Sequence, residues 1–97
     1  MHIISQKRLR EFWQLHADAE SPLRSWHQAT EQAEWDSFDD VRAVFGKRGD
    51  QVDKFVVFNI GGNKYRLIAV IHYDRQRVYV RHVLTHPEYD RGKWKDV

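Results

Sequence analysis

The chain has 97 residues, long enough for one domain with a single modest core and too short for two. It contains no cysteine, which excludes a disulfide framework and a thiolate zinc site. Its net charge of +2 hides an asymmetry, because residues 1–46 carry −3 and residues 47–97 carry +5. An acidic half followed by a basic half fits a face that meets an anionic partner, although Arg75, Arg77, Lys93 and Lys95 could equally serve only solubility.

The opening Met1-His2-Ile3-Ile4-Ser5 is followed at once by charged residues, and no stretch reaches the length of a membrane span. A cytoplasmic protein without membrane contact is the expectation. Ile3 and Ile4 suit a short first strand, with Ser5 as N-cap of the next element. Leu9, Phe12, Trp13 and His16 then recur at helical spacing. Ser21 before Pro22 predicts the N-cap and N1 of a second helix, whose apolar face is Leu23, Trp26, Thr30 and Ala33. Ser37-Phe38-Asp39-Asp40 predicts a third, through Val41, Val44 and Phe45 to Gly46.

Beyond Gly46 the pattern changes. Lys47 to Asp53 reads as a polar connection, Phe55 to Ile60 as a strand, and Gly61-Gly62-Asn63 as a tight turn needing positive φ. Tyr65 to Tyr73 is the longest strand, Asp74-Arg75-Gln76 turns the chain, and Arg77 to Thr85 returns. Short loops between consecutive strands predict an antiparallel meander with the helices packed on one face, an α+β domain over residues 1–97. Alternation puts Tyr65, Leu67, Ala69, Ile71 and Tyr73 toward the helices and Arg66 on the open face. On the last strand both faces mix apolar and basic residues, and pattern alone does not choose between them.

The candidate chemistry lies at the ends of these strands. Arg66 carries a permanent fork that fits two phosphate oxygens and the charge of a phosphorane; the competing reading is a surface arginine paired with Asp74 or Glu88. His86, where Pro87 stops the strand, titrates near neutrality and suits proton transfer; otherwise it is a histidine bonded to the strand end. Tyr89 can stack on a base or orient a hydroxyl, or can pack the C-terminal segment onto the sheet. Lys64, Lys54, Arg81, Arg91 and Lys93 form a prospective phosphate-holding rim. The four tryptophans, Trp13, Trp26, Trp35 and Trp94, read as core or partner-facing, and only Trp94, near the basic tail, could also touch RNA. His16 reads as packing, and no His-x-x-x-His or paired carboxylate pattern marks a metal site.

Two segments carry a specific resemblance. Phe58-Asn59-Ile60-Gly61-Gly62-Asn63-Lys64-Tyr65-Arg66-Leu67-Ile68-Ala69, together with Val80-Arg81 and Thr85-His86-Pro87-Glu88-Tyr89-Asp90, resembles the HigB family of bacterial toxins within the RelE/ParE superfamily. The opening Met1-His2-Ile3-Ile4-Ser5 is similar to the family's start, and the helical part matches in pattern only.

The resemblance implies a RelE-like fold and a ribosome-dependent endoribonuclease that cuts mRNA in the decoding site of the 70S ribosome. It also implies a helix-turn-helix, HigA-type antitoxin, through which alone the pair would reach operator DNA. Arg66 matches the strand arginine that contacts the scissile phosphate in several relatives, and His86 falls near the place of a catalytic histidine. Tyr89 lies where some members use a tyrosine, and Lys64 stands in for lysines of the preceding strand. No glutamate matches the general base of one related branch, so the base is left open. The expected reaction is attack of the 2′-OH on its own phosphate, without metal or cofactor. ParE-like relatives, which inhibit DNA gyrase without cutting nucleic acid, and a catalytically silent binding domain are the alternatives.

Overall fold

In the computed structural model, which describes residues 1–96, the strand at the N-terminus decides how the helical half meets the sheet. β1 (His2–Ile4) runs parallel to β5 (Arg77–Thr85), setting Ile3 opposite Val78. β2 (Gly49–Val52), β3 (Phe55–Ile60), β4 (Tyr65–His72) and β5 form the expected antiparallel meander, giving the order β1-β5-β4-β3-β2. The sheet is therefore antiparallel except at one edge. Three helices, α1 (Gln6–Leu15), α2 (Glu20–Glu31) and α3 (Phe38–Phe45), lie between β1 and β2 in the chain, and a short α4 (His86–Asp90) follows β5.

The sides expected on β4 hold, but the face expected to be open is covered by the C-terminal segment, and Arg66 on it is buried. Val56, Phe58 and Ile60 join Tyr65, Leu67 and Ala69 in the core under α1 to α3, with Leu9, Leu23, Trp26, Val41 and Phe45. Edge-to-face aromatic contacts tie these layers together: Trp26 to Phe58 at 5.4 Å and Phe45 to Phe58 at 5.0 Å. Each such pair adds about 0.5–1.5 kcal/mol beyond burial of its area. Arg66 takes the opposite face, beside a smaller apolar cluster of Phe55, Val57, Ile68 and Trp94.

A bulge explains why the faces of β5 resist reading. Ala69 pairs with Val80 but Ile68 pairs with His82, which leaves Arg81 as an extra residue. The alternation changes phase there. Val78 and Val80 face the helices before the bulge, and Val83 does so after it.

Three local expectations need correction. α2 starts at Glu20 after a 3-10 turn, Ala17–Ala19, so Ser21 and Pro22 lie inside its first turn. Proline is tolerated there because the first-turn N–H groups have no intrahelical acceptor. Ser5 and Ser37 do hold N-cap positions, yet neither hydroxyl bonds to its helix. The stretch read as a polar connection contains β2, an edge strand whose polar side chains face outward and so leave no apolar alternation in the sequence.

Candidate active site

Gly61 and Gly62, at φ 62° and 70°, turn β3 into β4. Two successive left-handed positions favour residues without a Cβ. The residues that follow are tied down from two sides. Lys64 donates its Nζ to Asp18 Oδ2 at 2.9 Å, and the Tyr65 hydroxyl donates to Asp18 Oδ1. The Tyr65 hydrogen bond, then that of Lys64, hold the Asp18 carboxyl below its usual range, and the same bonds raise Lys64 and Tyr65. The Lys64 ammonium is thus held by the turn between α1 and α2.

Arg66 lies one residue beyond, on the other face, and is only 7 % exposed. Its Nη1 donates to Asn63 O at 3.2 Å and Tyr65 O at 3.0 Å, and its Nη2 to Asn63 Oδ1 at 3.0 Å. These acceptors are all neutral. Neither Asp74 nor Glu88 pairs with it. A buried cation without a carboxylate partner is costly unless an anion completes it.

The Tyr89 ring covers the guanidinium, with its centroid 5.5 Å from Cζ. Burial raises the Tyr89 phenol above its usual value; Arg66 opposes that, while Asp50 and Asp90 add to it. Tyr89 stacks in turn on Trp94 at 5.2 Å, and Trp94 meets Phe55 edge-on at 5.5 Å. Trp94 donates its indole N–H to Tyr89 O at 3.0 Å and is 3 % exposed. Trp94 is thus a core residue that pins the C-terminal segment to the sheet, which leaves the option of RNA contact without support.

The sequence predicts only a strand end stopped by Pro87 where the structure has α4. Thr85 and Glu88 instead form a capping box, in which Glu88 N donates to Thr85 Oγ1 at 3.4 Å and Thr85 N donates to Glu88 Oε1 at 2.9 Å. The Thr85-x-x-Glu88 spacing, with Pro87 inside it, is the signal that could have revealed this helix. The Thr85 bonds hold the Glu88 carboxyl below its usual range, so Glu88 is engaged in the cap. His86 donates its backbone N–H to Lys64 O at 2.9 Å, which joins α4 to the turn before Arg66. The His86 Nδ1 lies 3.2 Å from Asp90 Oδ2, and the side chain is half exposed. His86 and Tyr89, three residues apart on one helix, share a face.

Arg66 and Tyr89 line a cleft of about 380 Å³ with Arg42, Lys47, Asp50 and Asn59. The sequence reading missed these four. Arg42 sits on α3 and Lys47 just before β2, both distant in sequence from Arg66 and Tyr89, and only the packing of α3 beside β2 brings them into the cleft. Arg42 stands 3.8 Å from Asp50 in a loose, exposed pair. Arg91 and Lys93 line a second hollow with His82, Leu84, Glu88 and Trp94. Burial, then the charges of Arg8 and Arg81, lower the His82 imidazole. Lys54 lies over the Phe55 ring at the β2–β3 turn, and Arg81 is the half-buried bulge residue. The structure thus brings Arg66 and Tyr89 into contact, places His86 on the helix of Tyr89, and turns the Lys64 ammonium to Asp18. Among the described residues no three His, Asp or Glu side chains cluster as metal ligands, and no helix is long and apolar enough to cross a membrane.

Residues 19–92 match the family model of HigB toxins, described as the RelE-like toxic component of a toxin–antitoxin system. The mRNA interferase toxin HigB of Escherichia coli (strain K12) is 32 % identical over 92 residues, spanning 93 % of this chain and 88 % of that protein. The mRNA interferase HigB of Shigella flexneri matches over the same extent and identity. That of Escherichia coli O6:H1 is 28 % identical over 93 residues, 94 % of this chain and 90 % of its own length. With the family model matched over residues 19–92 and a relative 32 % identical across most of both sequences, the chain belongs to the HigB family of RelE-like toxins.

Proposed function

We propose that this chain is an mRNA endoribonuclease that acts on the ribosome and stops translation when its antitoxin is absent. The observation that carries the reading is Arg66, a buried guanidinium bonded only to neutral oxygens and lining a cleft beside Tyr89. Such a cation is suited to a phosphodiester, whose charge grows as the phosphorane forms. The relatives named mRNA interferase support the same substrate.

In this scheme the ribose 2′-OH attacks its adjacent phosphorus and gives up its proton. The P–O5′ bond then breaks, and the departing 5′-oxygen takes up a proton. The products are a 2′,3′-cyclic phosphate and a 5′-OH. Arg66 holds the developing charge, helped by Lys64 if substrate draws its ammonium from Asp18, and no step is routed through a metal ion. His86 transfers one of the two protons, with Asp90 against its Nδ1. Tyr89 orients the substrate by stacking. Lys54, Arg81, Arg91 and Lys93 hold flanking phosphates or ribosomal RNA. Much of the barrier is removed by the ribosome's placement of the mRNA, since fixed geometry is worth about 7–11 kcal/mol in favourable cases. The partner in the resting cell is a HigA-type helix-turn-helix antitoxin, which carries the pair to operator DNA.

Inducing the protein without its antitoxin, with pulse labelling and mapping of mRNA 5′ ends, tests the reading. Arrested protein synthesis with codon-phased cuts is expected. Normal protein synthesis with collapsing DNA supercoiling would replace it with gyrase inhibition.

A further inference from the structure

Arg66 has five N–H donors, and Asn63 of the turn and Tyr65 at the start of β4 accept from three of them. Both hydrogens of Nη1 go to the carbonyls of Asn63 and Tyr65, and one of Nη2 goes to the Asn63 side chain. Asn63 therefore grips the end of the guanidinium with two oxygens, its carbonyl and its Oδ1. The positive φ angles of Gly61 and Gly62 lead the chain into this grip. Among the described residues no acceptor is bonded to the remaining donors, Nε–H and the second Nη2–H. Those two lie side by side along one edge, the edge that matches two oxygens of a phosphate.

From this division of donors we infer that Asn63 is a positioning residue for Arg66, fixing the guanidinium so that its Nε–Nη2 edge is presented to the scissile phosphate. The inference rests on the proposed nuclease reading and adds a residue to it. Asn63 is an exposed turn residue, whereas the cation that it orients is buried. Among the described residues its side chain makes a single hydrogen bond, and that bond is to Arg66. Without Oδ1 the guanidinium keeps its charge and its backbone bonds but loses the contact that sets its rotation. A misaligned donor loses transition-state stabilisation more than ground-state binding.

The test is single-turnover cleavage of a defined mRNA on programmed 70S ribosomes, with full-length toxin and melting temperatures measured alongside. Asn63→Ala is expected to slow cleavage at saturating toxin by about 10-fold or more, less than the loss from Arg66→Ala, with the half-saturating concentration unchanged. In an Arg66→Lys background, where no fork remains to be aligned, adding Asn63→Ala should change the rate by less than about 2-fold. An equal loss in both backgrounds would show that Asn63 acts through the fold and would overturn the inference. So would an Asn63→Ala protein that cuts at the wild-type rate while Arg66→Ala is impaired, and the nuclease reading would then stand without it. If Arg66→Ala itself cuts normally, the site assignment fails, and the role of Asn63 fails with it.

Discussion

At the scale of single residues, the proposed reaction divides its labour between a fixed cation, Arg66, and an imidazole, His86, on the helix that carries Tyr89 over that cation. Arg66→Ala should lower the cleavage rate about 10²–10³-fold, the usual loss on removing a donor aimed at transition-state charge. His86→Ala should lower it by roughly 10²–10⁴ if the imidazole moves a proton in the rate-limiting step. Rates on purified ribosomes measure both, once circular dichroism shows that each variant is folded. A folded, ribosome-bound His86→Ala protein with wild-type cleavage would reduce His86 to a helix-start residue paired with Asp90, leaving Tyr89 as the next candidate, since Glu88 is held in the cap. Arg66 was legible in the sequence because strand alternation alone puts it opposite Tyr65 and Leu67. Its holder Asn63 was read only as part of a tight turn. Arg42 and Lys47 were not legible at all, because their place in the cleft depends on how α3 docks beside β2 and on nothing in their own neighbourhood.

The elements that carry the site differ in how firmly they are built. β3 and β4 lie between two apolar layers, whereas α4 has five residues and depends on its cap and on Trp94. Thr85→Ala should cost about 1 kcal/mol, the ordinary loss of an N-cap oxygen, and should loosen Tyr89 and His86 together. Amide exchange across residues 86–90 would show this as lost protection, with activity falling in parallel. The cap also makes α4 sensitive to acid. The Glu88 carboxyl titrates below its usual value in the folded protein, so its stabilisation is complete at neutral pH and is lost as pH falls through and below the carboxylate range. His82 works in the same direction nearer neutrality: its lowered value means that protonation opposes folding, so stability should begin to decline as pH drops below about 6.5. A melting-temperature profile against pH should show both losses, and Glu88→Gln should flatten the lower one. The sequence showed β3 and β5 with their observed bounds because turn residues flank apolar runs. It hid α4 behind a proline, β2 behind polar side chains, and the faces of β5 behind the bulge at Arg81.

For the molecule as a whole, the uneven charge along the chain becomes an uneven charge between layers. The acidic residues 1–46 supply β1 and the three helices that cover one face of the sheet, and the basic residues 47–97 supply β2 to β5 and the segment that covers the other. Arg42 is an exception, because α3 delivers it to the cleft. A basic layer around Arg66 would draw the protein toward ribosomal RNA over a distance, whereas the buried guanidinium acts only on contact. These two roles separate by their salt dependence. Lys93→Ala should weaken ribosome binding and reduce the slope of log affinity against log salt by roughly 0.7–0.9, one phosphate contact, so that low salt restores its cleavage. Arg66→Ala should leave that slope nearly unchanged and remain slow at any salt, because the loss lies in the chemical step. Sedimentation with ribosomes between about 50 and 200 mM salt, paired with single-turnover rates, measures both quantities. If low salt rescues Arg66→Ala and not Lys93→Ala, then Arg66 is a docking cation, and the catalytic charge must come from Arg42 or Lys47 across the cleft.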